Sequence, residues 1–333
     1  MGEWLTTYRG TVFPWEVDTV GHFTVAYYFD RLADATLAAL DALRLGPAYM
    51  ASAGCGCITV DCHVRYLHEL RAGDVLHIES AVVNVGPTGV TLGHKLFDSD
   101  TGVLCATFEQ ETVHRALGGR EAVPLPDAER RTAQARRVAW DGPPREARPQ
   151  PVAPDGFPET ARDTVKPWET DVFGQSALPF YIHRFSAAGL RTFAAFGMTP
   201  AYQREQHRGF STFEFQLRFL GALHPGDLVV VRTGVLHVGN SSIRIFHTML
   251  RDPGGELVAT LDQFGVHLDT DARRPVPLPA PLRERARAML TETASPDPGT
   301  RAAHSGAGWP QMWSKRPTAA DRPVSPAAGK PAI

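Results

Sequence analysis

Two side chains that can move a proton or attack a carbonyl carbon, Asp18 and His22, stand just before a predicted helix. A carboxylate in this place can act as a nucleophile or activate a water molecule, close to the positive end of the helix dipole. It can equally cap the turn or the helix. The imidazole can act as a general acid or base, orient the carboxylate, or simply be a polar residue at a helix start. The pair defines the candidate site.

Other chemistries have weaker support in the sequence. Cys55 and Cys57 form a Cys-x-Cys pair, which lacks the wider spacing of zinc ligands, and neither HExxH nor a phosphate-binding glycine motif occurs. We therefore expect no metal and no cofactor. The 34 Lys and Arg are balanced by 36 Asp and Glu, which argues against nucleic acid as a partner.

Hydropathy and cysteine content bear on the compartment. The chain has no apolar run near the roughly 18 residues that span a membrane. Its first ten residues are mixed and polar, unlike a secretory signal, and four cysteines are too few for a disulfide framework. These features predict a cytoplasmic protein that does not bind membranes.

The residues around Asp18 occur twice. The segment VFPWEVDTVGH at residues 12–22 returns as VKPWETDVFGQ at 165–175, and an ungapped comparison of 12–114 with 165–267 gives 32 identities in 103 positions. Two copies are too few for a solenoid. We expect an intrachain pseudo-dimer, the covalent form of a two-fold homodimer.

Proline-rich segments delimit the two copies. Of 27 prolines, eight lie between 124 and 158 and eleven between 275 and 331. The predicted division is a first unit at 1–115, a Pro/Arg-rich linker at 116–162, a second unit at 163–290 and a disordered tail at 291–333.

The second copy retains the carboxylate but not the imidazole. Asp171 corresponds to Asp18, whereas Gln175 replaces His22. Glutamine forms hydrogen bonds but does not exchange protons near neutral pH. The two copies should therefore differ in catalysis.

Each copy is predicted to contain a strand, a long helix and an antiparallel meander. In the first copy the strand covers 8–15, the helix covers 23–45, and four more strands cover 58–66, 75–85, 90–97 and 103–114. The second helix is placed at about 177–196. A long apolar helix against an antiparallel sheet is α+β packing.

This order of elements resembles the hotdog fold. The segment WEVDTVGHFTVAYYFDRLADA at residues 15–35 resembles, more narrowly, the 4-hydroxybenzoyl-CoA thioesterase type of acyl-CoA thioesterase. That family has an Asp, then Gly-His, then an Asn pair ahead of a Tyr on the helix; Asp18, Gly21, His22 and Tyr28 match. Thr24 and Val25 stand in place of the Asn pair. The segment VRYLHELRAGDVLHIE at 64–79 is similar to the family's next strand.

The resemblance implies a tandem hotdog enzyme that cleaves an acyl-CoA to a carboxylic acid and CoA. Asp18 would be the base or nucleophile, assisted by His22, and backbone amides near Gly21 and Val25 would form an oxyanion hole. Asp171, Gln175 and Leu178 would form a second, degenerate site.

The resemblance also suggests substrate-binding residues. Tyr28 is one candidate, and Arg65 and Arg218, which occupy one position in both copies, could meet CoA phosphates or line a sheet edge. His94 and His247 also share one position and are interpreted as structural.

Three other functions are considered beside this one. They are an acyl-ACP thioesterase, a hotdog dehydratase or hydratase, and a non-catalytic acyl-thioester-binding protein. The Asp-x-Asn-Pro-x-x-His type of motif of the dehydratases is not found. The sheets of hotdog units also offer a route to a homo-oligomer.

Overall fold

The computed structural model describes residues 2–119 and 121–293, and its elements repeat in the two units. The first unit comprises Leu5–Thr11 (β1), Val25–Ala42 (α1), Pro47–Ala53 (α2), Cys55–Tyr66 (β2), Val75–Val85 (β3), Val90–Asp98 (β4) and Leu104–Ala116 (β5). Asp127–Ala135 (α3) follows. The second unit comprises Glu159–Thr164 (β6), Leu178–Ala195 (α4), Pro200–Gln206 (α5), Arg208–Phe219 (β7), Leu228–Val238 (β8), Ser242–Asp252 (β9), Glu256–Asp269 (β10), Arg274–Pro275 (β11) and Ala280–Ala288 (α6).

One sheet runs through both units in the order β1-β3-β4-β5-β2-β7-β10-β9-β8-β6, and β11 pairs with β10. At the junction β2 and β7 are antiparallel, with Asp61 opposite Arg218 and Arg65 opposite Glu214. Asp61 and Glu214 occupy one position of the repeat, and Arg65 and Arg218 occupy another. A two-fold axis therefore relates the units. The helices α1 and α4 pack on the same side of this sheet and contact each other. The predicted α+β double hotdog is confirmed.

The helix α1 is buried because small and apolar residues recur every three or four positions. Ala26, Phe29, Leu32 and Ala35 are fully buried in the shared core. The Phe29 ring meets the Phe108 ring edge-on at 6.1 Å. Burying a side chain of this size contributes roughly 1.5–3 kcal/mol, so this face fixes α1 against the sheet and thereby places its N-terminus.

The structure differs from the predicted elements around Pro14 and Pro47. The first strand leaves the sheet at Thr11, and Pro14–Glu16 forms a 3₁₀ turn. Proline has no N–H to give a sheet, and the Glu16 carboxylate accepts the backbone N–H of Phe13 at 2.9 Å. The helix α2 was not predicted; it begins at Pro47, two residues after the end of the predicted long helix.

The segment between the units packs against the sheet. Ala133 of α3 joins a core cluster. Further along, Arg145 binds Asp61 at 2.5 Å and Arg148 binds Glu214, both on the sheet face opposite α1 and α4. The boundaries proposed for units and linker stay predictions. The predicted disordered tail lies outside the described residues except for 291–293. Among the described helices, none is long and apolar enough to cross a bilayer.

Candidate functional site

A buried ion pair in each unit holds the loop that carries the repeated aspartate, Asp18 or Asp171. Arg31 of α1 binds Glu16 at 2.5 Å, and in the second unit Arg184 of α4 binds Glu169 at 2.7 Å. All four residues are buried. Breaking a buried pair by removing one partner typically costs 3–5 kcal/mol, about the scale of a large core deletion. These pairs therefore position the candidate loops relative to the helices.

The Asp18 carboxylate closes a tight turn. Its Oδ1 accepts the backbone N–H groups of Val20 at 2.9 Å and His22 at 3.0 Å. Gly21, with φ +79°, donates its N–H to the Asp18 carbonyl at 3.0 Å. The Gly21 amide is therefore used by the turn. Of the two residues whose amides were expected to form an oxyanion hole, Val25 lines the cavity described below and Gly21 does not.

The helix N-terminus beside Asp18 offers backbone donors. Thr24 is the N-cap of α1, and its side chain makes no capping hydrogen bond. The first amides of a helix have no intrahelical acceptor and carry partial positive charge. The Val25 N–H is the first of these in α1 and can stabilise an oxyanion.

Burial raises the pKa of Asp18, and the His22 ring, the two backbone hydrogen bonds and Arg273 offset this only in part. The residue nevertheless keeps exposed surface at the rim of the cavity. That exposure leaves the carboxylate part of its hydration. Asp18 is thus accessible to a ligand and to water.

His22 lies against a carboxylate that the sequence analysis did not select. Its Nε2 is 2.9 Å from Glu69 Oε2, and both side chains are largely buried. Arg273 of the second unit lies 2.8 Å from Glu69 Oε1, and Arg71 also contacts it. Burial alone would raise the pKa of Glu69, but hydrogen bonds from His22, Arg273 and Arg71 outweigh it and hold the pKa well below its usual range. Glu69 is therefore an anion that orients the His22 ring.

These groups line a cavity of about 310 Å³, called site A, which both units build. The first unit supplies Asp18, His22, Val25 and Glu69, with Phe23, Tyr28 and Tyr66. The second unit supplies residues of α4, β7 and β10: Ser186, Gly189, Leu190, Phe193, Phe210, Ser211, Thr212 and Gln263. The Tyr66 hydroxyl is buried and has no hydrogen-bond partner among the described residues.

A second cavity of about 230 Å³, called site B, has the same plan around Asp171. Asp171 Oδ1 accepts the N–H groups of Phe173 at 2.8 Å and Gln175 at 3.1 Å. Burial raises its pKa, and these backbone bonds partly offset the rise. The first unit supplies the opposite wall through α1, β2 and β5: Ala33, Thr36, Leu37, Leu40, Cys57, Ile58, Thr59, Val60, Gln110 and Arg115.

The two sites differ in their proton-transfer groups. At the repeat positions of His22 and Glu69, site B has Gln175 and Ala222. Leu178, the counterpart of Val25, lines site B, but the next residue is Pro179, which has no N–H. Site B therefore has the carboxylate and one helix amide without the imidazole–carboxylate pair.

Buried histidines support the walls of both sites. His247 Nδ1 lies 2.7 Å from the Thr233 hydroxyl, and its Nε2 lies 3.4 Å from Gln263 Oε1. Gln263 in turn donates to Thr212 Oγ1 at 2.7 Å, at the wall of site A. Burial lowers the pKa of His247 to about 4, so the ring is neutral. His94 has the same place behind Gln110 of site B, and the geometry fits a structural role for both.

Of the three predicted substrate-binding residues, only Tyr28 lines a site. Arg65 and Arg218 alternate with inward residues of β2 and β7 and lie on the opposite sheet face. Arg65 pairs with Glu214 at 3.3 Å, and Arg218 lies 3.6 Å from Asp61. Neither arginine lines site A or site B.

Within residues 2–119 and 121–293, no group of three or more His, Cys, Asp or Glu side chains is placed to hold a metal ion.

Both units match known proteins. Residues 12–133 and 165–286 each match the model of the thioesterase-like superfamily. A betainyl-CoA thioesterase of Pseudomonas aeruginosa is 28% identical over 125 residues, which are 38% of this chain and 79% of that protein. An L-carnitine dehydrogenase/betainyl-CoA thioesterase of Agrobacterium fabrum is 32% identical over 127 residues, again 38% of this chain but only 26% of that protein. Among solved structures, an acyl-ACP thioesterase from Bacteroides thetaiotaomicron superposes with a TM-score of 0.61 at 13% identity, covering 78% of this chain and 96% of that one.

Proposed function

The chain belongs to the thioesterase-like superfamily, and from that premise we propose that it hydrolyses acyl-CoA thioesters to a carboxylic acid and CoA at site A. One observation carries the proposal: Asp18, the His22–Glu69 pair and Val25, the first residue of α1, all line one cavity. Thioester hydrolysis needs a base or nucleophile, a group that transfers protons, and a donor for the oxyanion. Site A offers all three.

Asp18 has two possible roles in this reaction. As a general base it takes a proton while water attacks the carbonyl carbon; as a nucleophile its own oxygen attacks and forms a mixed anhydride that water then opens. In both routes the C–S bond breaks, its electron pair leaves with sulfur, and the thiolate is then protonated. Since Oδ1 holds the turn, the reacting atom is Oδ2.

The two routes leave different products under single turnover. Hydroxylamine converts an anhydride at Asp18 into a hydroxamate, which mass spectrometry of the peptide detects. A hydroxamate on Asp18 supports the nucleophile. An unmodified and unlabelled Asp18 peptide, with ¹⁸O from labelled water in the acid product and no acyl hydroxamate above the uncatalysed level, supports the general base.

The His22–Glu69 pair supports a proton-transfer role. The anionic Glu69, 2.9 Å from His22 Nε2, favours hydrogen on that nitrogen and fixes the orientation of the ring. Such an imidazole can orient the attacking water or carry a proton toward the departing sulfur, as histidines oriented by a carboxylate do in other hydrolases.

A groove next to site A supports CoA as the carrier. Arg204, Arg208 and Arg273 line this groove, which shares Thr19, Val20 and Gln203 with site A. Guanidinium groups suit the phosphates of CoA. Arg208 contacts Asp269, and Arg273 contacts Glu69. We therefore expect Arg204 to contribute most to the binding of a phosphate.

The alternative carrier is acyl carrier protein, as the names of structural neighbours suggest for those proteins. The test is thiol release from short, branched, aromatic, cationic and long acyl groups, each presented on CoA and on the carrier protein. Betainyl-CoA belongs in the panel because relatives are named for it and because site A sets the aromatic rings of Phe23, Tyr28 and Tyr66 beside carboxylates, a setting that attracts ammonium groups.

We expect release from at least one CoA thioester and at least about tenfold slower release, or about 1.4 kcal/mol of barrier, from the same acyl group on the carrier protein. Faster release from the carrier protein would replace CoA in the proposal. No release from any thioester, by folded protein, would reject hydrolysis and favour a binding protein.

A further inference from the structure

We propose that site B binds a second acyl-CoA thioester and does not cleave it. This inference rests on the proposed function. The chain would then be a hydrolase with two cavities for the same class of ligand, one that cleaves it and one that only binds it.

The walls of site B are those of a ligand cavity. Its lining repeats that of site A position by position across the two-fold axis, including Leu37 for Leu190, Thr59 for Thr212 and Gln110 for Gln263. Apolar residues of both units, among them Leu40 and Leu178, line it as well. An apolar cavity with a few convergent polar groups is the usual form of a small-molecule site.

A buried hydroxyl points independently to a ligand. Ser176 lines site B, is 5% exposed, and its Oγ has no hydrogen-bond partner among the described residues. Buried hydroxyls are normally satisfied, because an unpaired one loses its hydration without compensation. The counterpart of Ser176 in site A is Phe23. A ligand with a carbonyl oxygen would satisfy Ser176, whereas a hydrocarbon would not.

The same cavity lacks the groups that hydrolysis uses. Gln175 and Ala222 replace the imidazole and its carboxylate, and Pro179 removes an amide from the first turn of α4. Asp171 remains, in the same backbone cradle as Asp18. Site B therefore retains the cavity and the carboxylate but lacks the imidazole–carboxylate pair, and Gln175 does not exchange protons near neutral pH.

Arg115 adds a charge that site A lacks at this position. It lines site B, and its counterpart in the second unit is Leu268. A cation in the wall suits an anionic ligand such as CoA, whose phosphates lie on the carrier side of the thioester. This favours an acyl-CoA over a neutral lipid as the occupant.

The test is titration calorimetry of the whole chain with S-(2-oxoheptyl)-CoA. In this probe a methylene group separates sulfur from the carbonyl, so it is not hydrolysed. We expect two molecules bound per chain. Ala33→Trp, which places an indole in site B from α1 and touches no residue position of site A, should reduce the number to one. Ser176→Ala, which keeps the cavity and removes the hydroxyl, should retain two with a Kd at least about threefold weaker at one of them.

A thermal melt of each variant verifies that it is folded. One molecule per chain in the wild type, unchanged by Ala33→Trp, would overturn the inference while leaving hydrolysis at site A intact. No binding at all would instead count against the proposed function. Binding of two molecules that neither variant alters would also overturn the inference, since the second molecule would then lie elsewhere.

Discussion

Replacing Asp18 and Asp171 by asparagine, one at a time, separates the effect of each carboxylate on catalysis from its effect on stability. The two carboxylates have matched surroundings: Asp18 accepts backbone N–H groups at 2.9 and 3.0 Å, and Asp171 at 2.8 and 3.1 Å. Asparagine retains the Oδ1 acceptor in both turns and removes the charge. Asp171→Asn is therefore a control with nearly the same structural cost as Asp18→Asn, and the two melting temperatures should fall by similar amounts.

The expected rates differ because only site A has the imidazole–carboxylate pair. Loss of a general acid or base typically costs about 10²–10⁴ in rate, which is about 2.7–5.4 kcal/mol of barrier. Asp18→Asn should lose at least about 100-fold in kcat. Asp171 lines site B and not site A. Its variant should therefore retain the rate within about tenfold, or 1.4 kcal/mol of barrier.

The assay is thiol release from the best CoA thioester of the panel, at saturation and with both variants shown to be folded. Equal losses, or a larger loss for Asp171→Asn, would refute the assignment of catalysis to site A. Near wild-type turnover by Asp18→Asn would remove this carboxylate from the mechanism.

Four further measurements test the site. Glu69→Gln should lower kcat at least about tenfold without unfolding the chain, and an unchanged kcat would show that the His22 ring needs no anionic partner. Gln175→His with Ala222→Glu, made in the Asp18→Asn background, should raise thiol release at least about tenfold above that background; no gain would mean that site B lacks more than this pair. The kcat/KM profile should fall on its acid side with an apparent pKa above the ordinary aspartate value of about 3.9, because burial raises the pKa of Asp18 and the carboxylate is the active form; a limb at or below that value would contradict this. The pKa of about 4 for His247 lies below that of an unfolded histidine, so the unfolded state binds more protons and the free energy of unfolding should fall by up to about 3 kcal/mol as pH drops from about 6.5 to 4; urea unfolding should show a smaller fall for His247→Gln.

The architecture could be predicted because the duplication and the long helix leave strong signals. Gly73-Asp74 and Gly226-Asp227 mark the same turn in both copies, and the predicted strand 75–85 matches β3. Shorter elements were missed for a physical reason. The seven residues of α2 make only about two helical turns, too few for an apolar periodicity to be recognised.

The sequence predicted only those site residues that lie in one short segment, around Asp18 and His22. Glu69 lies in the loop after β2, and no spacing rule links it to His22, since the contact depends on how the turn after β2 folds back. A signal was nevertheless present: the positions of His22 and Glu69 both lose their ionisable groups in the second copy. Likewise Arg65 alternates with the inward Val64 and Tyr66, which places it away from the cavities.

The composite walls explain why the second copy can lose its proton-transfer groups and still be required. Ser186, Gly189 and Leu190 of α4 line site A, and Arg273 of the second unit holds Glu69. The first unit alone would have the reactive groups with one wall missing. A first unit without the second could gain this wall only by pairing with another copy of itself along β2. The α1 helix of that copy would then present Ala33, Thr36 and Leu37 in place of the α4 residues. Gln175 and Ala222 lie in site B, whereas the α4 face lines site A. If site A hydrolyses the thioester as proposed, chemistry and cavity shape are divided between the two copies, and site B could bind a ligand without a role in turnover.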